Sequence, residues 1–429
     1  MWELIRANKR RSLWLMIASL LLLLTLGFVL GSVVAPNVAV PVGVDPAGGE
    51  RLLLLPVGGM LGVAVAFALW GVQALVAYFQ GGRILLAVSG ARPIEQKDHP
   101  QLYNVVEEMT IASRLGKMPD IYVIDDMSMN AFATGRDPDH AAVAVTAGLL
   151  GRLNRDQLQG VIAHEISHIV NRDVLYMTLV GIMVGTVVIL AEFFLRGMYY
   201  GRGATSSRRF RSDSKGGNQL QLILILLAVV LAILTPLLAQ CIYFALSRRR
   251  EYLADASAAV FTRYPEGLAS ALEALAQDTA RLGRASSATA PMYIVNPLHE
   301  EGKMALDRTR THPPITERIR ILRSLAGGVS YGAYQTAWSK VSKARGGLVP
   351  KSALVADQAV EPRGADRPST VEGRSDAARG RREAGDLIRK LHGFRVIDCE
   401  CGARLKLPPE YTRDTTRCLR CGRLHHLAN

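Results

Sequence analysis

Apolar residues along this chain are gathered into runs rather than spread. Four runs, 13–35, 52–79, 174–195 and 220–246, reach the roughly 20 residues that cross a hydrocarbon core. The first two carry no charge, the third only Glu192 near its end, and the fourth none, although Pro236 offers a kink. Between the second and third runs the pattern changes to helical and strand periods. Asp98-His99-Pro100 reads as a cap-and-proline start to a helix with Leu102, Val105, Val106 and Met109 on one face. Ile121-Tyr122-Val123-Ile124 reads as a buried strand after Pro119, and 141–146 as a second, small-residue strand. Asn154-Arg155-Asp156 then opens a helix striped by Leu158, Val161, Ile162, Ile166 and Ile169. Beyond the fourth run, 251–276 and 315–325 read as helical, separated by a loop bearing Pro and Gly. The predicted class is α+β: a polytopic membrane protein with about four transmembrane helices, a mainly helical domain and a small sheet.

The basic residues Arg6, Lys9, Arg10 and Arg11 before the first run also suit a signal peptide. Its apolar part is too long for a cleaved core, and Pro36 follows the small-residue site Val33-Val34-Ala35, so an uncleaved anchor is expected. The Pro- and Gly-rich 39–50 makes a hairpin to the second run.

The 429 residues allow two or three units, and 49% are hydrophobic. The net charge of +14 would suit nucleic acid, but much of it lies beside apolar runs, where Lys and Arg meet anionic headgroups. Membrane contact is therefore expected, and no nucleic acid. The division expected is a transmembrane hairpin over 1–80, a catalytic unit over 81–345, a disordered linker poor in large apolar residues over 346–390, and a tail over 391–429.

The chemistry centres on His164-Glu165-Ile166-Ser167-His168. On a helix this HExxH sets two imidazoles one turn apart on one face, the grip a tetrahedral zinc needs. A catalytic zinc takes three protein ligands and keeps one position open. Just after the fourth run stand Glu251 and Asp255, one helical turn apart; Glu251 can bind the metal while Asp255 orients a ligand histidine through its other ring nitrogen. Two complete crossings between His168 and Glu251 return the chain to the face it left, whereas one crossing would separate them by about 30 Å.

With Asn130-Ala131-Phe132-Ala133-Thr134-Gly135, Arg250-Glu251-Tyr252, Ala254-Asp255, and Thr311-His312-Pro313-Pro314 with Arg318, these residues resemble the HtpX-like family of membrane-embedded zinc endopeptidases. That family also includes the enzymes that trim prenylated CAAX proteins, and the likeness runs over about 94–325. It implies a gluzincin-type metallopeptidase fold, one catalytic zinc, and cleavage of damaged or misfolded membrane proteins. By position it implies His164, His168 and Glu251 as ligands, Glu165 as base, and Asp255 as a histidine's partner. Asn130 and an edge strand through Ala131, Phe132 and Ala133 would line the substrate cleft, where an extended peptide pairs main chain to main chain. His312, with Arg318, would stabilise the tetrahedral intermediate. His99, His140 and His299 are taken as capping or surface residues.

Four of the five cysteines fall in the tail. Cys399-Glu400-Cys401 and Cys418-Leu419-Arg420-Cys421, 16 residues apart and each followed by Gly, read as a small zinc ribbon holding a second, structural zinc. His425 and His426 are alternative ligands, and a disulfide pair is the competing reading. Cys241 reads as a buried apolar side chain.

Arg6 to Arg11, Arg83, Arg92 and Arg248 to Arg250 all belong to one face, which the positive-inside rule makes cytoplasmic, together with the HExxH unit and the tail. Four Cys in a reducing compartment also favour a metal. The loop holding Arg196, Arg202, Arg208, Arg209, Arg211 and Lys215 contradicts that rule. A tolerated exception, or a hairpin that does not fully cross, keeps the ligands together. The leading expectation is a protein quality-control endopeptidase of a bacterial inner membrane, acting on protein or peptide substrates at the cytoplasmic face. A CAAX-type processing peptidase and a zinc-stabilised scaffold, whose ribbon recruits a protein partner, are the rivals.

Overall fold

A computed structural model describes residues 2–34, 38–44, 50–182, 226, 229–230, 248–278, 280, 283, 292–295, 313–325, 328–342, 347–355, 359–363, 370–411 and 414–427. Two long helices lead: α1 (Trp2–Val34) and α2 (Val57–Val88), joined through the antiparallel strands β1 (Val38–Val44) and β2 (Glu50–Leu55). Gly27 and Gly31 of α1 lie on Gly58 and Gly62 of α2 so closely that a Cβ at Gly31 would sit 2.1 Å from the Gly58 oxygen. Small residues at four-residue spacing permit this approach. Among the described residues, α2 is the helix long and apolar enough to cross a membrane, and a shorter apolar helix spans Asp173–Ile182.

The second apolar run is therefore helical from Val57, not from 52. Pro56 stands at the helix N-cap, and the leucines before it join a hairpin, a distinction that an unbroken apolar run conceals. The remainder of the third run, the fourth run except 226 and 229–230, the basic loop between them, Cys241, His299 and His312 lie outside the described residues.

Next come β3 (Ala91–Pro93), α3 (Pro100–Ala112), β4 (Asp120–Ile124), β5 (Ala131–Gly135), β6 (Ala141–Thr146), α4 (Ala147–Arg152) and α5 (Arg155–Val170). The strands form one mixed sheet in the order β3-β4-β6-β5, with β4 parallel to β6 and the other pairs antiparallel. This puts β5 at an edge. His99 caps α3, its Nδ1 accepting the Leu102 N–H at 3.1 Å, while His140 is exposed beside Asp137.

α5 runs through the centre of the core, with an Asn154–Gln157 capping box at its start. It packs against α3, β5 and the helices Arg248–Thr262 and Pro265–Ala276. Gly160 is required there: a Cβ would meet the Leu268 nitrogen at 2.6 Å. The segment expected as one helix over 251–276 is thus two, because Arg263 turns left-handed at φ 53 and Pro265 restarts the chain.

The stretch read as a disordered linker carries the helices Lys351–Val355 and Thr370–Leu391. Its Ala, Arg and Glu content favours helix, and Ala384 and Leu387 are buried where the helix lies on α4. A tail of two hairpins follows, β7 (Arg395–Asp398) with β8 (Arg404–Leu407), then β9 (Thr415–Arg417) with β10 (Leu424–His426).

Candidate metal centre

α5 and the Arg248–Thr262 helix cross so that His164, His168 and Glu251 turn their donor atoms to one point. His164 Nε2 lies 3.3 Å from His168 Nε2 and 3.6 Å from Glu251 Oε2, and His168 Nε2 lies 3.8 Å from Glu251 Oε1. Zinc–ligand bonds of 2.0–2.1 Å set tetrahedral ligands about 3.3 Å apart, so the three donors already have nearly that spacing. Around them stand four carboxylates, Glu165, Asp173, Glu251 and Asp255, against two buried guanidiniums, Arg250 and Arg318, a balance of −2 that a divalent cation cancels. The residues fit zinc in spacing, donor type and charge.

Each histidine is held from behind. His164 Nδ1 lies 3.0 Å from Asp255 Oδ1, and His168 Nδ1 lies 3.0 Å from Asp173 Oδ2. Arg318, fully buried, donates to both Asp255 oxygens at 2.7 and 2.8 Å and lies 3.7 Å from Glu251 Oε2. Burial opposes charge on the metal-free imidazoles but the carboxylates outweigh it. His164 is raised by Asp255 and Glu251, and His168 is pushed up to about 9 by Asp173. Burial likewise opposes ionisation of Asp255, yet Arg318 holds its carboxyl below the usual range.

Glu165 is 2% exposed on the cavity side of the donors. Burial drives its pKa up, while His164, His168 and the Ala133 N–H pull it back. The cavity opens between the donors, Ala133 of β5, Val174, Met177 and the segment Met292–Ile294. That segment lies along β5: the Ile294 N–H donates to the Ala131 oxygen at 3.0 Å, and Asn130 Nδ2 donates to the Val295 oxygen at 2.8 Å. Tyr293 meets Phe132 edge to face at 5.0 Å.

Of the residues expected here, His164, Glu165, His168, Glu251, Asp255, Arg318 and Ala133 come together, while Asn130, Ala131 and Phe132 stand on or beside β5 without lining the cavity. Asp173 and Met292–Ile294 were not expected, and Arg250, quoted in the motif with Glu251, was given no role. Asp173 carried a legible signal, an acid just beyond the end of the ligand helix; Met292–Ile294 is brought in by tertiary packing.

In the tail, Cys399 and Cys421 Sγ lie 3.5 Å apart and Cys401 and Cys418 Sγ 3.6 Å apart, and all four lie within 4.8 Å of one another. None is bonded in a disulfide. Four thiolates on zinc at 2.3 Å stand about 3.8 Å apart. Gly402 and Gly422, with φ 79 and 75, let each hairpin turn sharply beneath its cysteines. The N–H groups of Cys421 and Arg420 pull the Cys418 thiol down to about 6.

Two helices carrying HExxH and a distant Glu onto one point, beside a sheet edge, define a zinc metallopeptidase centre. The model of peptidase family M48 matches residues 96–326, and the chain belongs to that family. It is similar to Protease HtpX homolog of Dictyoglomus turgidum, 48% identical over 267 residues, 62% of this chain and 83% of that one. It is also similar to Protease HtpX homolog of Streptococcus gordonii, 35% identical over 325 residues, 76% of this chain and all of that one. Among solved structures, the crystal structure of S. mikatae Ste24p aligns with TM-score 0.35 and 20% identity over 62% of this chain and 59% of that one, a likeness that bears no weight.

Proposed function

We propose that this chain is an integral membrane endopeptidase that hydrolyses damaged or misfolded membrane proteins at the cytoplasmic face of a bacterial inner membrane. The observation that carries the reading is the donor triad beside Glu165 in a cavity walled by an edge strand. The relatives named Protease HtpX homolog support the peptidase reading, and the apolar helix α2 supports its membrane setting.

His164, His168 and Glu251 would hold the zinc. When bound, it supplies Lewis acidity to the attacking water and the scissile carbonyl. Glu165 takes the proton from that water and delivers it to the leaving amine. The Ala133 N–H keeps its carboxylate turned to the reacting atoms. Asp255 and Asp173 fix the histidine rings, and Arg318 keeps Asp255 charged and in place. Its complete burial supports this holding role over contact with the intermediate, the part first expected of it beside His312. A substrate strand pairs along β5 near Asn130 to Ala133, displacing or extending the contacts of Met292–Val295. In the tail, Cys399, Cys401, Cys418 and Cys421 would hold a structural zinc, leaving the ribbon's exposed face to a protein partner.

Glu165→Gln tests the mechanism. The variant is expected to retain zinc and lose about 10²- to 10⁴-fold in cleavage of a membrane test substrate in detergent. Full activity in that variant ends the assignment of Glu165, and a wild-type protein that binds no zinc ends the reading.

A further inference from the structure

Arg250 precedes the ligand Glu251 and is 7% exposed, yet hydrolysis as described does not use it. It lines the cavity beside His168, Asp173 and Glu251. Its guanidinium lies over the Tyr176 ring, 5.0 Å from the centroid. Neither Nε nor Nη1 has a hydrogen-bond partner among the described residues. Asp173 attracts it through space, but Asp173 Oδ2 is engaged with His168 Nδ1, and its Oδ1 makes no hydrogen bond to the guanidinium.

Arginine keeps its charge when buried, and a buried donor without an acceptor costs free energy. Both donors are buried, and the side chain that carries them lines the cavity. The adjoining wall, Val174 and Met177, is apolar, and the lining carboxylates Glu165, Asp173 and Glu251 would be balanced by a bound zinc together with Arg250, leaving the guanidinium to discriminate by a charge-assisted bond.

We propose that Arg250 is a specificity-determining residue that binds a carboxylate of the peptide substrate. That carboxylate is either an acidic side chain close to the scissile bond or the substrate's own C-terminus. The inference rests on the cavity being the peptide-hydrolysing site.

The test uses the full zinc-loaded chain in detergent and peptides that carry Glu or Gln at one position at a time on either side of the cleaved bond. A second set ends in a free acid or an amide. One member of these sets is expected to favour the carboxylate about 10- to 100-fold in kcat/KM. A preference in the first set identifies an acidic side chain, and in the second a terminus. Arg250→Gln should bring that ratio to about one, and Arg250→Lys should keep part of it, with zinc content measured alongside. Binding of the same peptides to Glu165→Gln protein gives a readout independent of hydrolysis. A wild-type ratio near one in every pair, or a preference that survives Arg250→Gln, overturns the assignment. If no peptide is cleaved, the hydrolytic reading fails, while the binding ratios still decide the role of Arg250.

Discussion

At the catalytic centre, donors from two helices meet inside the core: His164, Asp255 and Arg318 are fully buried, and every ring nitrogen has a partner in place. At the ribbon, four thiols come from two hairpins with strands of three or four residues, and Cys421 is exposed. The first site is a cavity left in a fold that apolar packing already holds. The second is nearly all the core its hairpins have. The same ion would thus have opposite consequences for the structure that binds it: at one place it would complete a site, at the other it would make the fold.

Chelation separates the two most sharply. Removing metal is expected to unfold 395–427, since structural zinc in small domains contributes on the order of 10 kcal/mol, while α3, α5 and the sheet stay protected. Hydrogen exchange with and without chelator reads this directly. Equal loss of protection in both regions would break the contrast.

Asp255→Asn has the next largest effect. It keeps the shape but leaves Arg318 buried beside a neutral partner, at a cost of about 3–5 kcal/mol in stability. Zinc affinity at the catalytic site should fall about 10- to 100-fold, because the ring of His164 loses its orienting carboxylate. Thermal unfolding and zinc competition check both, and the tail's zinc should be unaffected.

The same contrast separates what could be read in the sequence from what could not. The α5 cap at Asn154, its apolar stripe, the His164/His168 pair and the Glu251/Asp255 turn are local patterns with helical period, and they stand where expected. So do the cysteine knuckles, which are set by spacing and glycine. β5 was legible only by resemblance: Ala131-Phe132-Ala133-Thr134-Gly135 has little β-branched content and becomes a strand by pairing with β6. The hairpin strand Glu50–Leu55 hid in an apolar run, and the break at Arg263 in a helical stripe. The Thr370–Leu391 helix hid in a charged composition, because its buried stripe acquires meaning only against α4. The bond of Arg318 to Asp255 was not foreseen, since it joins residues 63 apart in sequence, and its expected neighbour His312 lies outside the described residues.

Proton linkage gives a smaller effect that runs in two directions at the catalytic centre. Without metal, His168 titrates at about 9 against 6.5 unfolded, so its pairing with Asp173 stabilises the fold fully below 6.5 and is lost as pH rises through 9. Zinc needs the neutral ring, so its apparent affinity should climb about tenfold per pH unit between 7 and 9 for this proton, then level off. Titration of metal-free protein against a chelating dye measures the slope. A flat profile would mean that Asp173 does not hold a proton on His168.

The smallest effect concerns whether metal alone holds the ribbon. Buried Asp386, on the Thr370–Leu391 helix, takes Arg404 Nη1 at 2.8 Å and Lys406 Nζ at 2.7 Å from β8. Burial works against its ionisation, but Lys406 and Arg404 outweigh it and hold the carboxyl below its ordinary range. The partners are half-exposed, so Asp386→Asn should loosen docking by about 1 kcal/mol, a roughly fivefold loss of exchange protection across β7 and β8. Zinc should stay at both sites. Because the folded pKa is depressed, the contribution is present above the ordinary carboxylate range and disappears as pH falls through the depressed value. Wild-type protection should therefore drop in acid toward that of the variant. Identical protection in the two proteins at neutral pH would leave the four thiols as the ribbon's sole anchor and make the contrast between the sites sharper still.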